Sequence, residues 1–298
     1  MRLIEKILYT SLITMIVSTS MILSGCVEPS LNDNTILNIF EVHEWGVFEH
    51  VYNSNIVNVV NEPVIGPVIV KKPVIYFHYD ENLSDIVIEV DINGDILVTI
   101  PDAVNTSNGI NWTFDIVNNS VVAPNGTVYD YLFYECQINV TQGIVAYVVE
   151  DGINITFYVE NVADYSISDI FFIYGYSTDI SIWSRGLSYV HIDTLESGEE
   201  TSITIPLKNN SSYDTDEIFS SLIENGLTAN EAKELIDYWQ EMWFHPTNIG
   251  TYAQMIYTIP EEIYNDLLPI SIIPTPEIIN RVGLFFVTGI PINPSDRN

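Results

Sequence analysis

Apolar and polar residues alternate in short runs along residues 39–208, and Asn, Asp, Gly and Pro separate the runs. A period of two is typical of strands that bury one face. So many short strands favour a mainly β chain, built as one antiparallel β-sandwich or as two packed sandwiches. Outside two hairpins, the clearest predicted strands are residues 74–79, 112–117, 128–134, 170–176, 187–192 and 201–207.

The strongest local turn signal is Asn93-Gly94, which lies between the alternating runs 86–91 and 95–100. A type I′ turn requires positive φ at both central residues, and Asn-Gly meets that requirement best. The pattern therefore predicts that these two runs pair with each other as a β-hairpin.

A second hairpin is predicted at Asp151-Gly152, between residues 144–149 and 153–159. Because successive side chains of a strand point to opposite faces, the sequon residue Asn154 should face solvent. The opposite face of the same strand should carry its apolar residues, Ile153, Ile155, Phe157 and Val159.

The pattern changes to a helical period in residues 209–249, which we predict to form a helical hairpin. The first helix, 214–224, should end at Asn225-Gly226, and Thr228 with Glu231 forms a capping box that opens the second. The apolar stripe of the second helix is Ala232, Leu235, Ile236, Trp239 and Trp243, and its expected solvated face is Glu231, Glu234, Asp237 and Glu241. His245-Pro246 should end it.

The β pattern returns in residues 250–292, which should rejoin the β core. Strands are predicted at 251–259 and 278–287, with a helical turn near 261–268. Residues 293–298 should form a frayed tail.

The N-terminal segment has the organisation of a lipoprotein signal peptide. Arg2 and Lys6 precede an apolar stretch, and Leu23-Ser24-Gly25-Cys26 closes it, so residues 1–25 should be removed on export. Cys26 would then carry the lipid, and residues 26–38 would form a polar tether. The predicted location is the cell surface, outside the cytoplasmic membrane.

Charge and cysteine content exclude several partners. The chain has 9 Lys and Arg against 40 Asp and Glu, a formal net charge of -31, so nucleic acid is excluded as a partner and direct docking on anionic lipid headgroups is disfavoured. After Cys26 the only other cysteine is Cys136. If Cys26 is acylated, Cys136 has no disulfide partner, and we expect Cys136 to be buried and to pack as a small hydrophobic residue.

Asn-x-Ser/Thr triplets indicate a surface glycoprotein, because they occur about twice as often as this composition would give by chance. The candidate asparagines are Asn82, Asn105, Asn111, Asn118, Asn125, Asn139, Asn154, Asn209 and Asn210.

The segment His43-Glu44-Trp45-Gly46-Val47-Phe48 resembles an uncharacterised family of exported proteins, in which it reads His-Glu-Trp-Gly-Thr-Phe. Val47 replaces the usual Thr, and Glu135 stands where Arg is expected. The resemblance implies export and the element boundaries, but no activity. Further segments that agree with the family in order lie at residues 72–77, 131–134, 226–244, 267–270, 274–276 and 281–282.

The candidate chemistry lies around His43, Glu44 and His50, because the sequence contains no signature of a common hydrolase or nucleotide-binding loop. On one strand, His43 and Glu44 face opposite sides, and so do His43 and His50. His43 and Glu44 could reach one metal ion only at a bulge or a turn, and His245, beside Trp243 and Phe244, could meet one of these residues in space. Two His and a carboxylate could then hold zinc or another divalent ion.

The structural alternative treats Trp45 and Phe48 as core anchors and His43 as a hydrogen-bonded residue. Buried carboxylates require a partner, so Glu44 would pair with one of the few cations, such as Lys71, Lys72 or Arg281. His78 and His191 are likewise expected to be hydrogen-bonded sheet residues.

These observations favour a lipid-anchored, non-enzymatic module that binds an extracellular ligand or an envelope partner. The first alternative is a metal-dependent extracellular hydrolase that uses His43, Glu44 and His245. The second is a solute-binding lipoprotein, which is disfavoured because the alternation of strands and helices found in such α/β folds is missing.

Overall fold

The computed structural model describes residues 39–52, 65–177, 185–207, 215–244 and 251–294. Within these residues, a sheet of eight strands lies at the centre of the fold. The segment 1–38, which contains Cys26 and the tether, lies outside the described residues, as do His245, Asn209 and Asn210. The strand order is β13 (Arg185–Leu195), β12 (Ile167–Ser177), β15 (Tyr252–Ile259), β17 (Ile278–Thr288), β1 (Glu41–Val51), β2 (Ile65–His78), β9 (Leu132–Thr141) and β4 (Gly94–Ile100).

Two smaller sheets pack on one face of the central sheet. The first contains β16 (Ile270–Ile273), β3 (Leu83–Asp91), β6 (Gly109–Val117), β7 (Ser120–Val122) and β8 (Val128–Tyr129), with β5 (Val104–Asn105) paired to β6. The second contains β14 (Glu200–Pro206), β11 (Asn154–Asn161), β10 (Ile144–Glu150) and β18 (Ile292–Pro294). The core between the layers includes Phe48, Ile88, Trp112, Phe157 and Phe172.

The helical hairpin covers the opposite face of the central sheet. It consists of α1 (Asp216–Glu224) and α2 (Ala229–Phe244), and a shorter helix, α3 (Glu261–Leu267), follows β15. All five residues of the predicted apolar stripe of α2 are buried, and they form a second core with Trp45 and Val47 of β1. This confirms the predicted mainly β fold, with predominantly antiparallel sheets packed as a sandwich and a helical hairpin before the last strands.

The predicted hairpin at Asn93-Gly94 is wrong. Strands β3 and β4 lie in different sheets, and β4 pairs with β9. Neither Asn93 nor Gly94 is among the described residues with positive φ, and a Cβ on Gly94 would lie only 2.0 Å from the carbonyl oxygen of Gln137. Glycine is therefore required for close strand approach, at the corner where the chain passes from one layer to the next.

The hairpin at Asp151-Gly152 is confirmed. Strands β10 and β11 pair antiparallel, Gly152 has φ +88, and Asp151 Oδ1 accepts hydrogen bonds from the backbone N–H groups of Ile153 and Asn154. Ile153 is 73% exposed rather than buried, because it precedes the first paired residue of β11.

Two boundaries also differ from the sequence prediction. The predicted strand 128–134 is divided between β8 and β9, which belong to different sheets. Asn293 and Pro294, predicted to be part of the tail, pair with β10 in parallel. Both differences arise from pairing between distant segments, which the local pattern does not encode.

Among the described residues, no helix has the length and apolar character that a membrane span needs.

Candidate functional site

Strand β1 directs His43 and Glu44 to opposite faces of the central sheet. His43 points to the side covered by the helical hairpin, where it meets Glu231 of α2. Glu44 points to the other side, where it meets Arg281 of the neighbouring strand β17. The alternation of side chains along a strand therefore separates these two residues, and they cannot bind one metal ion together.

Glu44 belongs to a fully buried ion pair. Its Oε2 accepts a hydrogen bond from Arg281 Nε at 2.6 Å, and both side chains have 0% exposure. Its Oε1 accepts hydrogen bonds from the hydroxyl groups of Tyr134 at 2.8 Å and Tyr264 at 3.1 Å. Burial, reinforced by Glu44, raises the pKa of both tyrosines, so both remain protonated donors. Arg281 is one of the three cations that the sequence suggested as partners.

His43, His78 and Glu231 form a second polar cluster, which we call the His–Glu–His cluster. Glu231 Oε2 lies 2.9 Å from His43 Nδ1, and Glu231 Oε1 lies 2.7 Å from His78 Nε2. The second ring nitrogen of His43, Nε2, lies 2.8 Å from Glu41 Oε1. One potential ligand atom from each of His43, His78 and Glu231 lies within 4.8 Å of the others, which is the spacing of a possible metal site.

The pKa values of the cluster reflect these contacts. Burial alone would lower the pKa of His43, but its hydrogen bonds to Glu231 and Glu41 raise it above the ordinary value. Burial alone would raise the pKa of Glu231, but hydrogen bonds from His43 and His78 lower it well below its ordinary value. Without a metal, the cluster therefore favours a protonated His43 beside an ionised Glu231.

The predicted capping box fixes the position of Glu231. The backbone N–H of Thr228 donates to Glu231 Oε2 at 2.8 Å, and the backbone N–H of Glu231 donates to Thr228 Oγ1 at 3.3 Å. Gly226, with φ +100, ends α1 two residues earlier and lets the chain turn into α2. Local helix chemistry thus holds the carboxylate at the start of α2, directly over β1 and β2.

Placing Glu231 on the solvated face of α2 was wrong, because Glu231 is only 3% exposed. Leu235, one turn later on the same side of the helix, is fully buried. That i, i+4 relation was the sequence signal that could have placed Glu231 towards the core. His78 is hydrogen-bonded, as expected of a sheet residue, but its partner is the carboxylate of this cluster.

The remaining sequence candidates do not join the cluster. Trp45 is fully buried in the core beneath the helical hairpin. His50 lies on the opposite face from His43, and burial lowers its pKa. Glu49 pairs with Lys71 at 2.5 Å, and His191 lies 3.2 Å from Asp169.

The described sequons are compatible with glycosylation, since none of their asparagines is buried. Asn111 and Asn154 are partly exposed, and the other members are exposed: Asn82, Asn105, Asn118, Asn125 and Asn139. Cys136, by contrast, is a free thiol with 0% exposure, as expected for a small buried residue, and burial raises its pKa to about 12.

Two adjoining cavities open beside the edge strand β4. The first, of about 410 Å³, is lined by Trp112 and Phe114 and also by the sequon residues Asn111 and Asn125. The second, of about 420 Å³, contains no sequon asparagine; it is lined by Lys72, Ile100, Val128, Tyr129, Asp130, Tyr131 and Phe133. We call the second cavity the aromatic groove.

No known family model matches the chain, and no curated protein matches it. Among solved structures, the chain is similar to the yeast delta-COP-I mu-homology domain, with 8% identity and a TM-score of 0.42, over 86% of this chain and 98% of that one. The same domain complexed with a Dsl1 WxWxV peptide gives 8% identity and a TM-score of 0.39, with the same coverage. A likeness this remote carries no conclusion about function.

Proposed function

We propose that this protein is a lipid-anchored, non-enzymatic module outside the cytoplasmic membrane, and that it binds an extended basic segment of a partner protein along β4. The observation that carries the binding role is the exposed apolar edge of β4. The signal-peptide pattern ending at Cys26 supports the location, and so does the resemblance of the segment 43–48 to exported proteins.

Strand β4 has the features of a site for strand addition. It is the last strand of the central sheet, and among the described strands only β9 pairs with it. Its side chains Leu97, Val98 and Ile100 are 47%, 41% and 45% exposed. An edge strand presents free backbone donors and acceptors, so an added strand would gain main-chain hydrogen bonds while covering these side chains.

The aromatic groove supplies side-chain pockets next to that edge. Ile100 of β4 lines the groove, and Val128, which is 59% exposed, lines it from β8. Tyr129, Tyr131 and Phe133 are only partly buried there. Apolar walls beside a free strand edge suit alternate side chains of an extended peptide.

Charge selects a basic partner segment. Asp95 is exposed near the start of β4, and Asp130 is exposed at the aromatic groove. The one cation of the groove, Lys72, is already 3.9 Å from Glu234 Oε1. With a chain charge of -31, long-range attraction favours Lys and Arg and disfavours acidic segments.

A direct test uses two labelled ten-residue peptides, one alternating Val and Lys and the other alternating Val and Glu, with binding followed by fluorescence anisotropy. We expect the Val–Lys peptide to bind the full chain and the affinity to fall with added salt. A double substitution to Ser at Ile100 and Val128 should weaken binding at least about tenfold, since each half-exposed side chain contributes roughly 1 kcal/mol on burial.

The matched control replaces Ile153 and Ile273 by Ser. These apolar residues are 73% and 64% exposed, and they do not line the aromatic groove. Equal affinity of the two double variants would reject the site, and equal affinity for the two peptides would reject the charge argument. Failure of the Val–Lys peptide to bind would reject the binding role.

The location is tested separately with Cys26→Ser in the full chain. Loss of the lipid attachment residue should abolish incorporation of a radiolabelled fatty acid into the protein. Labelling of this variant to the level of the unmodified chain would contradict lipid attachment at Cys26.

The two alternatives have less support. The hydrolase hypothesis required His43 and Glu44 at one metal, but they lie on opposite faces and Glu44 is paired with Arg281. The solute-binding hypothesis required an α/β fold, whereas the described elements are mainly antiparallel strands.

A further inference from the structure

We propose that the His–Glu–His cluster binds a divalent transition metal ion, zinc or one of its neighbours. The ligands would be His43 Nδ1, His78 Nε2 and the carboxylate of Glu231. The potential ligand atoms already lie within 4.8 Å of one another, and the carboxylate of Glu231 contacts one nitrogen of each imidazole ring. This site differs from the one suggested by sequence, which combined His43 with Glu44 and His245.

The ligand types select the class of metal. Zinc binds imidazole nitrogen and carboxylate oxygen at about 2.0–2.2 Å, which places tetrahedral ligands roughly 3.3 Å apart. The present contacts of Glu231 with His43 and His78, 2.9 and 2.7 Å, would have to lengthen by about 0.5 Å. Calcium is disfavoured because it takes six to eight oxygen ligands, and two of the three groups here are imidazoles.

The surroundings of His43 match those of a metal-binding histidine. Its Nε2 lies 2.8 Å from Glu41 Oε1, so this nitrogen can donate to a carboxylate while Nδ1 binds the ion. The side-chain amide nitrogen of Asn280, the direct neighbour of His43 on β17, lies 3.1 Å from His43 Nε2 and 3.3 Å from Glu41 Oε1. The ring is therefore held in the orientation that binding through Nδ1 requires.

The site is also accessible to an ion. His43 and Glu231 are each 3% exposed, whereas the side chain of His78 is 36% exposed and opens the cluster to solvent. Three protein ligands leave a coordination position for water or for a fourth ligand. A bound ion would join β1 and β2 to the start of α2, and would therefore fasten the helical hairpin to the central sheet.

The test uses the full chain stripped with a chelator and then titrated with Co²⁺ and Zn²⁺. We expect one Co²⁺ per chain, with visible d–d absorption that Zn²⁺ displaces, and a rise in the unfolding temperature with added Zn²⁺. His78→Gln is the main variant, because His78 is the most exposed ligand and its loss should leave the fold intact. Its affinity for Co²⁺ should fall at least about tenfold.

The matched control is His191→Gln. His191 also lies beside a carboxylate in the central sheet, 3.2 Å from Asp169, but it is outside the cluster, so Co²⁺ affinity should not change. Absence of Co²⁺ and Zn²⁺ binding would overturn the proposal. Binding that His78→Gln leaves unchanged would overturn it too, because the ion would then be held by the acidic surface. Peptide binding at β4 involves other residues, so failure of one proposal is distinguishable from failure of the other.

Discussion

Replacing Arg281 by Met should destabilise the protein strongly, because it leaves Glu44 as a buried charge without its counter-ion. Both side chains have 0% exposure, and Arg281 also donates to Asn265 Oδ1 and to the Leu268 carbonyl. Removing one partner of a buried ion pair costs about 3–5 kcal/mol. This is a large part of the roughly 5–15 kcal/mol that typically separates folded from unfolded chains.

The free energy of unfolding should be measured by urea denaturation, and the unfolding temperature should fall by roughly 6–20 °C, at about 2–4 °C per kcal/mol. Adding Glu44→Gln to Arg281→Met removes the buried charge but keeps an oxygen for the hydroxyl groups of Tyr134 and Tyr264. We expect this second change to recover about 1–3 kcal/mol.

Lys71→Met is the matched control. Lys71 pairs with Glu49, which lies on β1 as Glu44 does, but the side chain of Lys71 is 33% exposed. A partly exposed pair contributes about 0–1 kcal/mol. The reasoning is refuted if Arg281→Met costs no more than Lys71→Met. It is refuted equally if Glu44→Gln lowers the stability of the Arg281→Met variant further.

Three further predictions concern other parts of the fold. Gly94→Ala should lower the free energy of unfolding by about 1–3 kcal/mol in urea denaturation, because the new Cβ would lie 2.0 Å from the Gln137 carbonyl oxygen. A loss below about 0.5 kcal/mol would contradict the close approach of β4 and β9. In a Cys26→Ser variant, Cys136 should react with a thiol reagent at pH 8 only as the chain unfolds, since it is buried and its pKa is raised to about 12, and labelling faster than unfolding would contradict this. Hydrogen bonds from two backbone N–H groups lower the pKa of Asp151 below 3.8, so its contribution to stability is present above pH 3.8 and is lost as the pH falls through the lowered pKa of the folded state. Asp151→Asn should remove that part of the pH dependence of the free energy of unfolding, and an unchanged pH dependence would disprove the prediction.

The sequence was sufficient where neighbouring residues determine the structure. The capping box of Thr228 and Glu231, the end of α1 at Gly226 and the turn at Asp151-Gly152 all depend on contacts within a few residues. The burial of the apolar stripe of α2 also follows from local periodicity. Such features are encoded in the order of the residues, because no distant segment has to be known.

Strand pairing could not be predicted in the same way. Residues 86–91 and 95–100 alternate as paired strands do, yet β3 pairs with β6 and β16 while β4 pairs with β9. Alternation shows which face of a strand is buried, but not which strand lies beside it. Which strand pairs with which depends on how the three sheets pack their apolar faces against one another.

For the candidate site, the sequence by itself determined that His43 and Glu44 face opposite sides of a strand, because side chains alternate along any strand. Only the tertiary structure decided their partners. Parallel pairing of β1 with β17 brings Arg281 to Glu44, and packing of α2 on the central sheet brings Glu231 to His43. These partners are 237 and 188 residues away along the chain, and long-range packing, which local pattern does not encode, determines which side chains meet.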